Sequence, residues 1–221
     1  MKRWLSLLIA CILVLSLSAC APAQQPAPEG QEPPQDNTPS TPEPEQTPDD
    51  EPQGGGILIA YFSCTGNTKS VAELLAQASA GDLYEIVPEQ PYTAEDLNYN
   101  DADSRASREN DDPAARPALS GSVENLEDYD VIFLGYPIWW GEAPRIISTF
   151  LESHDFAGKT IVPFCTSASS GMGDSAENLR ALCSDSTTWL DGRRFGASAG
   201  EEEVAAWFES LALVERGGEA Q

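Results

Sequence analysis

Positive charge is scarce in this chain. Its 221 residues carry 12 Lys and Arg against 36 Asp and Glu, a net charge of −24. Such a surface repels phosphate backbones and anionic headgroups, so it argues against nucleic acid and against direct adhesion to charged lipid. It suits solubility outside a cell, or docking to a basic partner. Histidine is scarcer still: His154 stands alone, and no Cys-x-x-Cys occurs, so no set of zinc ligands or other metal site is expected. His154 follows an apolar helical stretch and reads as a surface residue near a helix end. Neither of two familiar phosphate motifs is present. A P-loop requires Gly-Lys-Ser/Thr four residues beyond a first glycine, and a dinucleotide fingerprint requires Gly-x-Gly-x-x-Gly.

Long apolar runs are also few, and the first lies at the amino end. Lys2 and Arg3 precede an apolar stretch from Trp4 to Leu17, which closes on Leu17-Ser18-Ala19-Cys20. A basic start, an apolar centre and small residues before a cut describe a secretory signal over residues 1–20. The stretch is shorter than the roughly 20 residues of a spanning helix. Its ending resembles the lipobox of bacterial lipoproteins, which implies lipid attachment at Cys20 and an exported chain held at the membrane. Residues 21–56 are rich in Pro, Glu, Gln and Asp, with no Lys, Arg or aromatic residue. They cannot build a core and read as a solvated linker, with Gly54-Gly55-Gly56 as its joint. The folded domain is expected over residues 57–216, with 217–221 a tail.

Within that domain, Ile57-Leu58-Ile59-Ala60-Tyr61-Phe62 is a continuous apolar run, the pattern of a strand buried on both faces. Val71, Leu74, Leu75 and Ala78 follow at helical spacing, with Gly81 as the expected cap. Leu83–Val87 reads as a second strand stopped by Pro88. Val131–Leu134 is a third, ending at Gly135, and a helix follows from Pro144 with Ile146, Ile147, Phe150 and Leu151 on one stripe. Thr160–Cys165 is the fourth strand. Leu179, Leu182 and Cys183 mark another helix, Trp189 to Phe195 a weaker strand, and Val204, Trp207, Phe208 and Leu211 the last helix. This alternation predicts an α/β fold, a doubly wound parallel sheet with helices on both faces. Residues 88–127 show weak periodicity, and a loop this long has a function or hides structure.

Ligands of such sheets bind beyond the carboxyl ends of the strands, where the strand order reverses. Strand one ends in Ser63-Cys64-Thr65-Gly66-Asn67-Thr68, whose hydroxyls and amides open a helix and can hold a phosphate. Helix capping alone would use the same residues. Lys69 is the only nearby cation, so neutral donors would do the holding. Strand three ends in Gly135-Tyr136-Pro137-Ile138-Trp139-Trp140-Gly141, and three aromatic rings in one loop suit a flat ligand better than solvent. Strand four ends in Thr166-Ser167-Ala168-Ser169-Ser170-Gly171, small residues that allow close backbone approach. Phosphate cradle, ring clamp and small polar loop at one sheet edge match the shape of FMN.

These motifs, together with Pro91-Tyr92-Thr93, Asp96–Asp101 and Ser104-Arg105-Ala106, resemble the flavodoxin family over about 57–208. The resemblance implies a five-stranded sheet of order 2-1-3-4-5 and non-covalent FMN. Ser63, Thr65, Gly66, Asn67 and Thr68 would hold the phosphate. Pro137, Ile138, Trp139, Trp140 and Gly141 would flank the ring system, and Thr166, Ser167, Ala168, Ser169, Ser170 and Gly171 would meet its other edge. Relatives commonly carry Ser-Gly-Gly-Ser-Gly where this chain has Ser167-Ala168-Ser169-Ser170-Gly171, which matters if the backbone there requires positive φ. In this topology Cys64 and Cys165 end strands separated by another, about 9.5 Å apart. That exceeds the roughly 7 Å limit for a disulfide, so these two are expected unpaired with each other.

Electron transfer with a redox partner protein is the leading expectation, with the cofactor carrying the chemistry and no catalytic side chain required. An FMN-dependent NAD(P)H reductase of quinones or other small acceptors is the alternative. A flavin-free binding module is a second.

Overall fold

The computed structural model describes residues 55–213. The signal, Cys20, nearly all of the linker and the 217–221 tail lie outside these residues. In chain order the elements are β1 (Gly56–Tyr61), α1 (Asn67–Ser79), β2 (Asp82–Glu85), α2 (Arg105–Asp111), β3 (Tyr129–Pro137), α3 (Arg145–Glu152), β4 (Thr160–Thr166), α4 (Ser175–Arg180), β5 (Thr188–Trp189), β6 (Arg193–Phe195) and α5 (Glu201–Ser210). The strands pair in parallel in the order β2-β1-β3-β4-β5, with β6 also beside β4. That is the order expected from the resemblance.

The pleat divides the apolar runs between two layers. Leu58, Ala60 and Phe62 of the first run join Ile132, Leu134 and Tyr136 of β3 against Ile146, Ile147 and Phe150 of α3. Ile59 and Tyr61 face the other way with Phe133, Val162 and Phe164, against Val71 and Leu75 of α1 and Val204 and Trp207 of α5. A strand covered on both faces must be apolar at every position, so these stretches read as continuous runs.

Several boundaries move, each for a local reason. Gly55 and Gly56 belong to the fold: Gly55 N–H donates to Asp130 Oδ2 at 3.1 Å, and Gly56 opens β1. Gly81 is not the cap of α1. Ala80 holds the left-handed position, with φ of 52°. Gly81 is needed for close approach instead, since a Cβ there would stand 2.6 Å from Ile59 Cδ1 and 2.8 Å from the Ile57 carbonyl oxygen. β2 lies at the sheet edge, so Leu83 and Val87 stay exposed.

The fifth strand is broken into β5 and β6, and Pro163 explains the break. Lys159 and Ile161 offer their carbonyls to Thr188 and Leu190, and Ser167 N–H donates to Phe195 O. These alternate residues face the fifth strand, and Pro163 shares their parity without an N–H to give.

Residues 88–127 form a closed excursion. Glu89 N–H donates to Ala118 O and Ser120 N–H to Val87 O, each at 2.8 Å, so the chain leaves and returns at one point. Between them lies α2, capped by Ser104, whose side chain accepts from Ser107 N–H. Arg116 fixes the excursion to the end of α3 with a two-pronged contact to Glu152 at 2.6 and 2.7 Å. His154 is half-buried rather than a free surface residue. Its Nδ1 meets Phe150 O at 2.9 Å and its Nε2 accepts from Val123 N–H at 3.1 Å, so it ties the excursion's exit to α3. Among the described residues, no helix is long and apolar enough to cross a membrane.

Candidate functional site

A cleft of about 470 Å³ opens where β1 and β3 diverge, lined by Ser63, Cys64, Thr65, Thr68, Leu97, Tyr99, Ala106, Pro137, Ile138, Trp139 and Trp140. That volume is in the range of a single organic ligand. The cleft unites the expected first and third-strand loops. Gly66, Asn67 and Gly141 lie in those loops without lining it, and none of residues 166–171 lines it, although Thr166 bonds to Thr68 and Ile138, which do.

The cradle is made of neutral donors. Gly66 stands ahead of α1 with φ of 86°, and its N–H donates to Ser63 Oγ at 3.1 Å. The first helical bond runs from Ser70 N–H to Gly66 O. The amides of Asn67, Thr68 and Lys69 precede it in the first turn and are left for a ligand at the positive end of the helix dipole. Asn67 Nδ2 donates to Thr65 Oγ1 at 3.3 Å, which stiffens the loop. The Thr68 and Thr166 hydroxyls share a buried hydrogen bond of 2.8 Å, joining α1 to the end of β4. Lys69 contacts Glu85 at 3.6 Å, so its charge is already partly balanced.

The ring clamp has one free ring. Tyr136 is wholly buried, its hydroxyl 3.1 Å from Ser175 Oγ. Burial holds that phenol well above its ordinary pKa. Trp139 packs edge-on against Phe62 and Tyr92, with ring centroids 5.6 and 5.4 Å away. Trp140 remains 46% exposed. Trp139 and Glu142 exchange two backbone hydrogen bonds of 2.9 Å around Trp140 (φ 48°) and Gly141 (φ 85°). Two positive φ values make this a tight type I′ turn, where Asn-Gly is preferred. A tryptophan in the left-handed region is strained, and such strain concentrates at functional sites.

The fourth-strand loop starts at the cleft floor, where Ile138 N–H donates to Thr166 O at 3.0 Å. Ala168 and Ser169 have no positive φ. The departure from Ser-Gly-Gly-Ser-Gly therefore creates no backbone strain.

Leu97, Tyr99 and Ala106 are wall residues that belong to the quoted motifs Asp96–Asp101 and Ser104-Arg105-Ala106 but were not expected at the site. All three come from the 88–127 excursion, and Tyr99 is 73% exposed. Arg105 locks this wall: its Nε donates to Glu109 at 2.6 Å, its Nη1 to Gln90 O at 2.7 Å, and it lies 4.0 Å over the Tyr92 ring. Tyr92 in turn donates to Glu109. The quoted motifs around Tyr92 and Arg105 were the available signal, but their spacing does not show that they meet.

Cys64, Cys165 and Cys183 are all free thiols. Desolvation pushes the Cys64 thiol up to about 12, against the pull of Arg105. Although its surface is exposed, the residue is thereby held as a neutral thiol rather than a nucleophile. Among the described residues no three His, Cys, Asp or Glu side chains cluster to hold a metal. The site can bind and orient a flat phosphorylated ligand; it presents no acid–base pair.

Fold and cleft define a doubly wound α/β protein with its ligand site at the switch point of the sheet. A sequence profile described as Flavodoxin matches residues 56–211, and the chain belongs to the flavodoxin family. A candidate flavoprotein from Bacteroides eggerthii is 48% identical, with a TM-score of 0.67 over 72% of this chain and 99% of that one. Another from Bacteroides uniformis is 46% identical, with a TM-score of 0.68 over 71% and 99%. A Lactobacillus acidophilus flavoprotein in complex with FMN has the same fold at 23% identity, TM-score 0.54, over 70% and 99%. No curated protein matches the chain by sequence.

Proposed function

We propose that this chain is an FMN-binding electron carrier, exported and tethered by lipid at Cys20 to the outer face of the membrane. The cofactor is FMN, because one cleft is lined both by the neutral phosphate cradle and by an exposed, strained tryptophan. That juxtaposition carries the reading. Family membership agrees with it, as does the FMN complex of the Lactobacillus acidophilus relative.

FMN supplies reversible uptake of electrons. The protein's own residues do the rest. The first-turn amides of α1, with the hydroxyls of Ser63 and Thr65, would hold the phosphate. Trp140 would offer its ring to the flat part of the cofactor, and Trp139 anchors the hairpin against Phe62 and Tyr92. Leu97 and the exposed Tyr99 also line the cleft, where a partner protein would meet them. The acidic surface disfavours added negative charge on the ring and complements a basic redox partner.

Reconstitution with FMN followed by an absorbance spectrum tests the first step. A protein-bound flavin spectrum is expected, and its absence removes both the carrier and the reductase. Steady-state oxidation of NADH or NADPH by the reconstituted protein then separates these two, and the carrier reading requires that it be absent. Loss of lipid labelling in Cys20→Ser tests the anchor.

A further inference from the structure

A second cavity, of about 330 Å³, has no part in the reading so far. Arg116, Glu142, Arg145, Ser148, Leu179 and Leu182 are among its lining residues, and none of these lines the larger cleft. Its size admits a small organic ligand. The charged side chains differ in what already holds them. Arg116 is neutralised by Glu152, at 2.6 and 2.7 Å. Arg145 has no carboxylate partner among the described residues. Its Nε and Nη2 donate to the carbonyl oxygens of Glu109 (3.2 Å) and Asn110 (2.8 Å), which leaves Nη1 without an acceptor among those residues. Glu142 likewise has no basic partner among them. Asn178 Nδ2 donates to both of its oxygens at 3.0 Å, and a carboxylate, with about four acceptor sites, can take further donors.

Ser148 adds an independent sign of a ligand. It is 6% exposed, yet its hydroxyl has no hydrogen-bond partner among the described residues. A buried polar group left so calls for a partner. Of those residues, Trp189 Nε1 is the one fully enclosed side-chain donor or acceptor left unpaired. The Ser148 hydroxyl therefore keeps an opening, and Ser148 lines the cavity. Arg145 and Ser148 stand three residues apart on α3, side by side on one face. The first turn of α3 holds no acidic residue, and the positive end of its dipole favours an anion. Leu179 and Leu182 add an apolar surface. A simple carboxylate here would lie beside the charge of Glu142, and a simple amine beside that of Arg145. A zwitterion satisfies both.

We propose that this cavity binds a free α-amino acid with a large apolar side chain. Arg145 and the Ser148 hydroxyl hold its carboxylate, Glu142 takes its ammonium, and its side chain lies against Leu179 and Leu182. The inference does not rest on the FMN reading.

The test is equilibrium dialysis of the FMN-loaded full chain against phenylalanine, phenylpropanoate and phenylethylamine, which share a ring and differ in their charged groups. Phenylalanine is expected to bind about tenfold more tightly than either analogue. Ser148→Ala should weaken it about tenfold without lowering the urea midpoint, because the hydroxyl has no partner to lose. Glu142→Gln should weaken phenylalanine about tenfold and leave phenylpropanoate no weaker. Arg145→Gln should weaken both carboxylates; if that variant does not fold, the other two decide. No uptake of phenylalanine overturns the proposal, as does phenylpropanoate or phenylethylamine binding equally well. Unchanged affinity in Ser148→Ala and Glu142→Gln overturns it too, since the ligand would then lie elsewhere. Protein that takes up no FMN refutes the FMN reading alone, and the same comparisons on the FMN-free chain still decide this site.

Discussion

Replacing Trp140 by Asn separates binding from folding in a single residue. The change writes Asn-Gly into a turn whose central residues have φ of 48° and 85°, the pair that a type I′ turn prefers. Releasing a bulky side chain from the left-handed region returns about 1–3 kcal/mol. The ring is 46% exposed, so roughly 100 Å² of its contact is lost, about 2.5 kcal/mol at 25 cal/mol/Å². These terms nearly offset, and the stability of the FMN-free protein in urea should change by no more than about 1 kcal/mol. Losing an aromatic stacking face costs a flat ligand about 1–3 kcal/mol, which weakens binding about tenfold to a hundredfold. Titrating the FMN-free protein into FMN and following fluorescence gives the affinity. Unchanged affinity refutes the assignment of Trp140 to the ring face. A loss of affinity matched by equal destabilisation refutes the strain argument.

Exchanging the roles at the end of α1 checks the close-approach reading: Ala80→Gly should stabilise by about 1 kcal/mol, while Gly81→Ala should destabilise by about 1–3 kcal/mol, both read from urea midpoints. Gly66→Ala meets nothing within 4 Å, so its cost is conformational, about 1–2 kcal/mol. It should weaken FMN more than riboflavin, which lacks the phosphate; equal losses would place the phosphate elsewhere. Desolvation pushes the Cys165 thiol from 9.0 up to about 12. The native state thus keeps its proton while the unfolded chain gives it up, and stability is full below about pH 9 and falls as pH rises to about 12. Cys165→Ala should flatten that alkaline decline in pH-dependent urea melts, and an identical slope in the variant would contradict it.

The strands were legible where burial on both faces forces unbroken apolar runs, as at Ile57–Phe62 and Thr160–Cys165. What escaped depends on contacts between distant residues. α2, with the sequence Arg105-Ala106-Ser107-Arg108-Glu109-Asn110-Asp111, has no apolar stripe. Its helix is supported by the Ser104 cap and the Arg105–Glu109 pair. Tyr136 was grouped with the tryptophans as a neighbour in sequence. Its parity with Ile132 and Leu134 points it into the core instead. The break in the fifth strand was encoded in Pro163, but only the register of β4 shows which neighbour lacks the donor.

The paired bonds at Val87–Glu89 and Ala118–Ser120 divide the cleft into parts under unequal constraint. Because the excursion begins and ends at one place on the sheet edge, lengthening or exchanging it costs little closure entropy and leaves the order of the strands intact. The phosphate cradle has no such freedom, since it is set by β1, α1 and the buried Thr68–Thr166 bond. The wall bearing Leu97 and Tyr99 can therefore be remodelled for a new partner while the grip on the cofactor stays as it is.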